Sequence, residues 1–191
     1  YFGATVQYPD CEHYTIIMGK HFEPLLDSIF KTKVLSQDIS IYLHRPTATE
    51  PSLAPEGCES FYALVPVPNL KADIDWDVEG PKLKELLLSR LSSTVLPDIE
   101  KHCEQVFYKT PKDFLVDYNS EFGSGFSIAP IFFQSAWFRF HNKGEGITNL
   151  SLCGAGSHPG AGIPGVISSA KVVESLLKTE YGSDLLTEHA S

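Results

Sequence analysis

The sequence predicts an α/β chain of the mixed α+β kind, and three observations carry that class. Residues 38–46, DISIYLHRP, alternate between apolar and polar. Leucines fall at helical spacing after Gly80-Pro81. A glycine-rich stretch at 154–166 separates a short apolar run from an amphipathic one. With 191 residues, 42% hydrophobic and 20% charged, the chain has the composition of a packed protein of one large or two small units.

YFGATVQYP opens the chain without a methionine and reads as the interior of a strand, so the sequence is expected to be the C-terminal part of a longer polypeptide. In 38–46, Ile39, Ile41 and Leu43 share one face and Ser40, Tyr42 and His44 the other, as in a half-buried strand. His44 and Arg45, just before Pro46, read as a solvated strand end, with a place beside a ligand as the alternative. TATEPSLAPEG (47–57) holds two prolines and a glycine and reads as a loop. SFYALVPVP is a second strand, ended by Pro66 and Pro68. Asp73, Asp75 and Asp77 alternate with Ile74 and Trp76, an exposed loop edge rather than a metal site.

Pro81 suits a first helical turn, and Leu83, Leu86, Leu87 and Leu91 continue that helix. A further helix from Pro97 presents Ile99, Cys103 and Val106, and a third is capped by Thr110 ahead of Pro111. From Phe122 to Phe140 the chain is aromatic and punctuated by Gly and Ser. ITNLSLC (147–153) reads as a short strand, and Val166, Ala170, Val173 and Leu177 mark an amphipathic helix. The polar residues 181–191 are expected to form a flexible tail.

A net charge of −9 without a Lys/Arg cluster excludes nucleic acid as a partner, since phosphate binding needs a basic stripe. Cys11, Cys58, Cys103 and Cys153 make no CxxC pair and no ligand spacing with His, so the thiols are expected reduced and no metal is expected. No apolar run approaches the roughly 20 residues of a membrane-spanning helix.

The stretch GAGSHPGAGIPGV (154–166) holds five of the fourteen glycines. Placed between a strand and a helix, glycines let the backbone approach a ligand and converge its N–H groups, to which a helix N-terminus adds donors and partial positive charge. Pro164 fits the start of that helix. The stretch is neither GxGxxG followed by an acid, nor GK[ST], nor a nucleophile elbow around Ser157. On the residues alone, a packing turn stays open as the alternative.

Several segments, LHRPTATEPSLAPEGCESFYALVPVPNL, WDVEGPK, TPKDF, QSAWFRFHN and NLSLCGAGSHPGAGIPGV, resemble the C-terminal portion of the bacterial and fungal phytoene desaturases, flavoproteins of carotenoid biosynthesis. Ser157 stands where Thr is usual, Cys153 where Val is common and Phe140 where Pro is common. The resemblance implies FAD as cofactor and desaturation of phytoene towards lycopene, an oxidation of CH–CH groups. A related flavoprotein acting on another carotenoid, or a non-catalytic fragment binding an apolar ligand, are the alternatives.

The fold implied is the C-terminal part of a two-domain flavoprotein of the amine-oxidase and glutathione-reductase type, lacking its N-terminal dinucleotide-binding unit. Residues 1–140 would belong mostly to the substrate domain and 141–180 to the strand-loop-helix of the FAD-binding domain. Cofactor contacts are expected from Gly154, Ala155, Gly156, Gly162, Ile163, Pro164, Gly165 and Val166. Ala155 stands where the broader flavin fold often places an acid for the ribityl chain. Phe132, Phe133, Trp137 and Phe138, with Phe140, suit an apolar substrate tunnel, an ordinary core strand being the alternative. The sequence singles out no catalytic acid or base. The partners implied are an apolar C40 carotenoid and membrane lipid, met peripherally from the cytoplasmic side, with a homo-oligomer left open.

Overall fold

Residues 1–125, 127–129 and 131–182 are described in the computed structural model; of the tail expected at 181–191, residues 183–191 lie outside them. Contacts divide the chain into two compact units, Tyr1–Gly123 and the residues from Ser124 on. Of the aromatic stretch 122–140, the residues from Ser124 on thus group with the glycine-rich loop.

In the first unit five strands form one antiparallel sheet: β1 (Phe2–Ala4), β2 (Tyr14–Ile17), β3 (Ile41–His44), β4 (Glu59–Leu64) and β5 (Cys103–Glu104). They lie in the order β2-β3-β4-β1-β5. Alternation fixes the register, because a slip of one residue would turn Ile41 and Leu43 to the wrong face. Leu43 lies between Thr15 of β2 and Ala63 of β4, and both Ile41 and Leu43 are fully buried. Phe2 of β1 pairs with Phe61 of β4, their rings stacked at 5.1 Å.

Helix α1 (Phe22–Asp27) follows β2 and runs into one wide turn, Ser28–Thr32, closed by Lys33 at positive φ. Helix α2 (Trp76–Ser92) covers the core face of the sheet: Leu91 is fully buried in the core and Leu83, Leu86 and Leu87 pack against it. A leucine buried completely, as Leu91 is, contributes about 1.5–3 kcal/mol. The helix begins five residues before Pro81. Asp75, read as a loop edge, is its N-cap and accepts the N–H of Asp77, while Trp76 is buried.

The helix expected from Pro97 is one turn, α3 (Ile99–His102). Cys103 and Glu104 leave it to pair with Ala4 and Gly3 as β5, since the free edge of β1 offers backbone partners that a continuing helix would forgo. Helix α4 (Pro111–Tyr118) starts at the predicted cap Thr110 in a capping box with Asp113, and ends at Asn119 in the left-handed conformation.

Arg45 corrects the expected solvated strand end. It is 9% exposed, and its guanidinium donates to the carboxylate of Glu59 at 3.1 Å and to the Tyr8 carbonyl. Glu59, equally buried, also accepts the N–H of Tyr8 at 3.2 Å. The pair ties β3 and β4 to the chain after β1.

In the second unit the strand expected at 147–153 does not form. Among the described residues its pairing is a single antiparallel bridge, Lys143 with Ser151, around a turn in which Asn149 takes positive φ. With only its own hairpin to pair with, the apolar pattern is not enough to make a strand. Helix α5 (Ile163–Tyr181) forms as predicted. Among the described residues no helix is long and apolar enough to cross a membrane.

Candidate functional site

The glycine-rich loop 154–162 is clamped at both ends by polar groups that the sequence reading passed over. Asn142, 5% exposed, donates through Nδ2 to the carbonyls of Leu152 and His158, at 3.0 and 2.9 Å. Its own carbonyl accepts the N–H of Leu152, and the N–H of His158 donates to the Phe140 carbonyl. At the other end Ser169, fully buried on α5, accepts the N–H of Gly154 at 2.8 Å and donates to the Val166 carbonyl. Ser169 was legible in principle. It stands three residues after Val166 and four before Val173, a hydroxyl on the helix face read as apolar.

Within that frame the glycines take up backbone shapes closed to most residues. Gly154, Gly160 and Gly162 have φ of +120°, +146° and +87°. A side chain on Gly154 or Gly162 would meet nothing within 4 Å, so these two border open space. Gly165 differs: a Cβ there would stand 2.5 Å from the carbonyl oxygen of Gly160, so its bareness lets the loop fold back onto the first turn of α5. Gly162 is the N-cap of α5, Ile163 the first helical residue and Pro164 the second.

The N–H groups of Ala155, Gly156, Ala161, Gly162, Ile163 and Gly165 make no hydrogen bond within the described residues. To these donors the 19-residue helix adds its positive end, and open space borders the loop at Gly154 and Gly162. Such a set suits an electron-rich edge or a phosphate and supplies no acid or base. Of the expected contact residues 154–156 and 162–166, Gly154 and Val166 are joined through the Ser169 hydroxyl, and Val166 is the first whose N–H is taken up by the helix, bonding Gly162. Donors and space fit a flavin cofactor.

Phe132, Phe133, Trp137, Phe138 and Phe140 lie in or beside two short 3₁₀ turns, Phe132–Gln134 and Ala136–Phe138. They form no core strand. Phe132, Phe133 and Trp137 are each more than 70% exposed, and the rings of Phe132, Phe133 and Phe138 touch one another at 5.3–5.6 Å.

A second aromatic surface, absent from the sequence reading, covers the face of the sheet opposite the core. Phe107 stacks on Tyr1 and Tyr1 meets Tyr62 of β4; Tyr62 meets Tyr42 of β3, Tyr42 meets Tyr14 of β2, and Tyr14 stacks on His44, with centroids 4.8–6.1 Å apart. The signal was present in the alternation, where Tyr42 and His44 shared the face counted as polar. His44 Nε2 lies 2.9 Å from His13 Nε2, so one ring donates while the other accepts. Burial, and then the neighbouring His13, push the His44 pKa down.

No protein-family profile matches the chain. Among curated proteins it is 47% identical over 178 residues to a lycopene-forming phytoene desaturase of Pantoea ananas, covering 93% of this chain and 36% of that protein. It is 43% identical over 184 residues to the lycopene-forming phytoene desaturase of a Paracoccus species, 96% of this chain and 37% of the relative. To a neurosporene-forming phytoene desaturase of Cereibacter sphaeroides it is 44% identical over 176 residues, 91% of this chain and 34% of the relative. The chain spans about a third of the length of the curated relatives it matches. The resemblance stated for its motifs thus extends along nearly the whole chain, which is homologous to part of the phytoene desaturases.

Proposed function

We propose that this chain supplies the flavin-facing loop and part of the substrate domain of an FAD-dependent desaturase that takes phytoene towards lycopene. The observation that carries the reading is a single one: unsatisfied backbone donors in a loop that borders open space at Gly154 and Gly162, in a chain 47% identical to a lycopene-forming phytoene desaturase. In the whole protein an N-terminal dinucleotide-binding unit, not among these 191 residues, would hold the adenosine half of the cofactor. Gly154–Gly156 and Gly162–Val166 would hold the flavin half. FAD, when bound, supplies the hydride acceptor for a carbon beside a double bond.

The chain's own part is electrostatic and geometric. N–H groups at 155, 156 and 161–163 and the N-terminus of α5 favour negative charge where the flavin edge would lie. Ala155 offers no side-chain acceptor, so a hydrogen bond to the cofactor at that position would come from the backbone. Phytoene presents nothing to hydrogen-bond, and the exposed rings at 132–138 and the aromatic face of the sheet are the surfaces here that suit a polyene. A substrate so apolar partitions from lipid, and we place the enzyme peripherally on the cytoplasmic face of a membrane, held by apolar contact.

Co-expression of the full-length protein with a phytoene source tests the function. Coloured product with the absorbance bands of a longer conjugated system is expected. Unchanged phytoene beside a protein that retains flavin would overturn the substrate, and the absence of flavin would overturn the cofactor. A neurosporene-forming relative at 44% lies inside the 43–47% range of the lycopene-forming ones, so the identity of the pigment is itself part of the result.

A further inference from the structure

Arg139 is the one charged side chain that touches the glycine-rich loop among the described contacts. Its guanidinium donates to the carbonyl of Ala155, and a Cβ on Gly160 would stand 3.8 Å from its Nε. It is half-buried, and no carboxylate of the described residues pairs with it, although the chain carries nine more acids than lysines and arginines.

The carbonyl it holds matters because peptides are planar. In a trans peptide the C=O and the following N–H point to opposite sides, and the one cis bond among the described residues is His158–Pro159. Fixing the Ala155 carbonyl against Arg139 therefore turns the N–H of Gly156 away from it. The preceding peptide is fixed in the same way: the Gly154 carbonyl accepts the N–H of Ser157 at 3.2 Å and its hydroxyl at 3.1 Å, which turns out the N–H of Ala155. Two consecutive carbonyls are pinned, and the two N–H groups behind them are unsatisfied.

We infer that Arg139 is a positioning residue for the flavin site, holding the Ala155 carbonyl so that the Gly156 N–H faces the bound cofactor; this rests on the flavin reading above. The test uses the full-length protein and its Arg139→Ala and Arg139→Lys variants, measuring the flavin dissociation constant, the visible spectrum of the flavin that stays bound, and the melting temperature of the apoprotein. Arg139→Ala should weaken flavin binding about tenfold or more, as losing a charge-assisted hydrogen bond implies, and should shift the spectrum of the retained flavin. Arg139→Lys, still able to donate, should recover binding to within about threefold of the parent. Parental affinity and spectrum in Arg139→Ala would overturn the inference. So would a fall in melting temperature shared by both variants with an unchanged spectrum, which is the mark of a merely structural arginine. A parent protein that binds no flavin overturns the flavin reading itself, and with it the inference.

Discussion

At the scale of single residues, two glycines that look equivalent in the motif are needed for different reasons. Gly165 keeps space that the loop itself fills, because its Cβ would lie 2.5 Å from the Gly160 oxygen. Gly162 is needed for its φ of +87°, with open space where a side chain would go. A branch at Gly162 would therefore enter open space, whereas one at Gly165 would meet the chain itself. Gly165→Ala should displace the 160–162 backbone and lower both the melting temperature and the flavin content of the full-length protein. Gly162→Ala should cost about 1–2 kcal/mol in backbone strain and lose flavin to a smaller degree. Parental flavin content in Gly165→Ala would show that the loop shape tolerates the change and that the 2.5 Å contact yields. The sequence announced that glycine mattered here. Which glycine answers to chain packing and which to backbone conformation depends on a contact across five residues.

At the scale of elements, legibility followed locality. Strand β3, the capped start of α4 and helix α5 were readable because their determinants lie within a few residues: alternation, a Thr-Pro cap, a 3.6-residue period. The failures at 147–153 and after Pro97 arose where a partner decides, since a short apolar run becomes a strand only beside an edge. Residues 103–104 had β1 beside them and 147–153 had only their own hairpin. The α4 cap yields a pH-dependent prediction. Asp113 accepts the N–H of Thr110 at 2.6 Å and its hydroxyl at 2.7 Å, and these bonds, the backbone one first, hold its carboxyl below the usual range. A depressed carboxylate pKa means stability that is fully present above the unfolded value of about 3.9 and is lost as the pH falls through the lower folded value. Asp113→Ala should thus cost about 1 kcal/mol at neutral pH, with the gap to the parent closing as the pH drops below about 4. Denaturant melts at pH 7 and pH 3 measure both gaps, and a gap as wide at pH 3 as at pH 7 would remove Asp113 ionisation from the cap.

At the scale of the whole molecule, charge and apolar exposure together decide how a membrane could be met. This chain carries −9, and an anionic leaflet repels such a surface, so its own basic residues do not supply the main attraction to lipid headgroups. Among the described residues no helix is long and apolar enough to cross a membrane, and the peripheral attachment proposed above would rest on apolar side chains laid against lipid. Among the described residues Phe132, Phe133 and Trp137 are the most exposed rings, and they stand within six residues of one another. Burying even part of such rings is worth about 25 cal/mol for each Å² removed from water, and that contribution is insensitive to salt. Vesicle flotation of the full-length protein should therefore show binding retained at about 0.5 M salt, where the Debye length is only about 4 Å. Replacing Phe132, Phe133 and Trp137 together by Ser should reduce that binding several-fold while leaving flavin content near the parental level, because these side chains are not among the loop donors. Release of the parent protein by salt alone would mean that charge carries the attachment after all. Full binding by the triple variant would move the contact to another part of the protein.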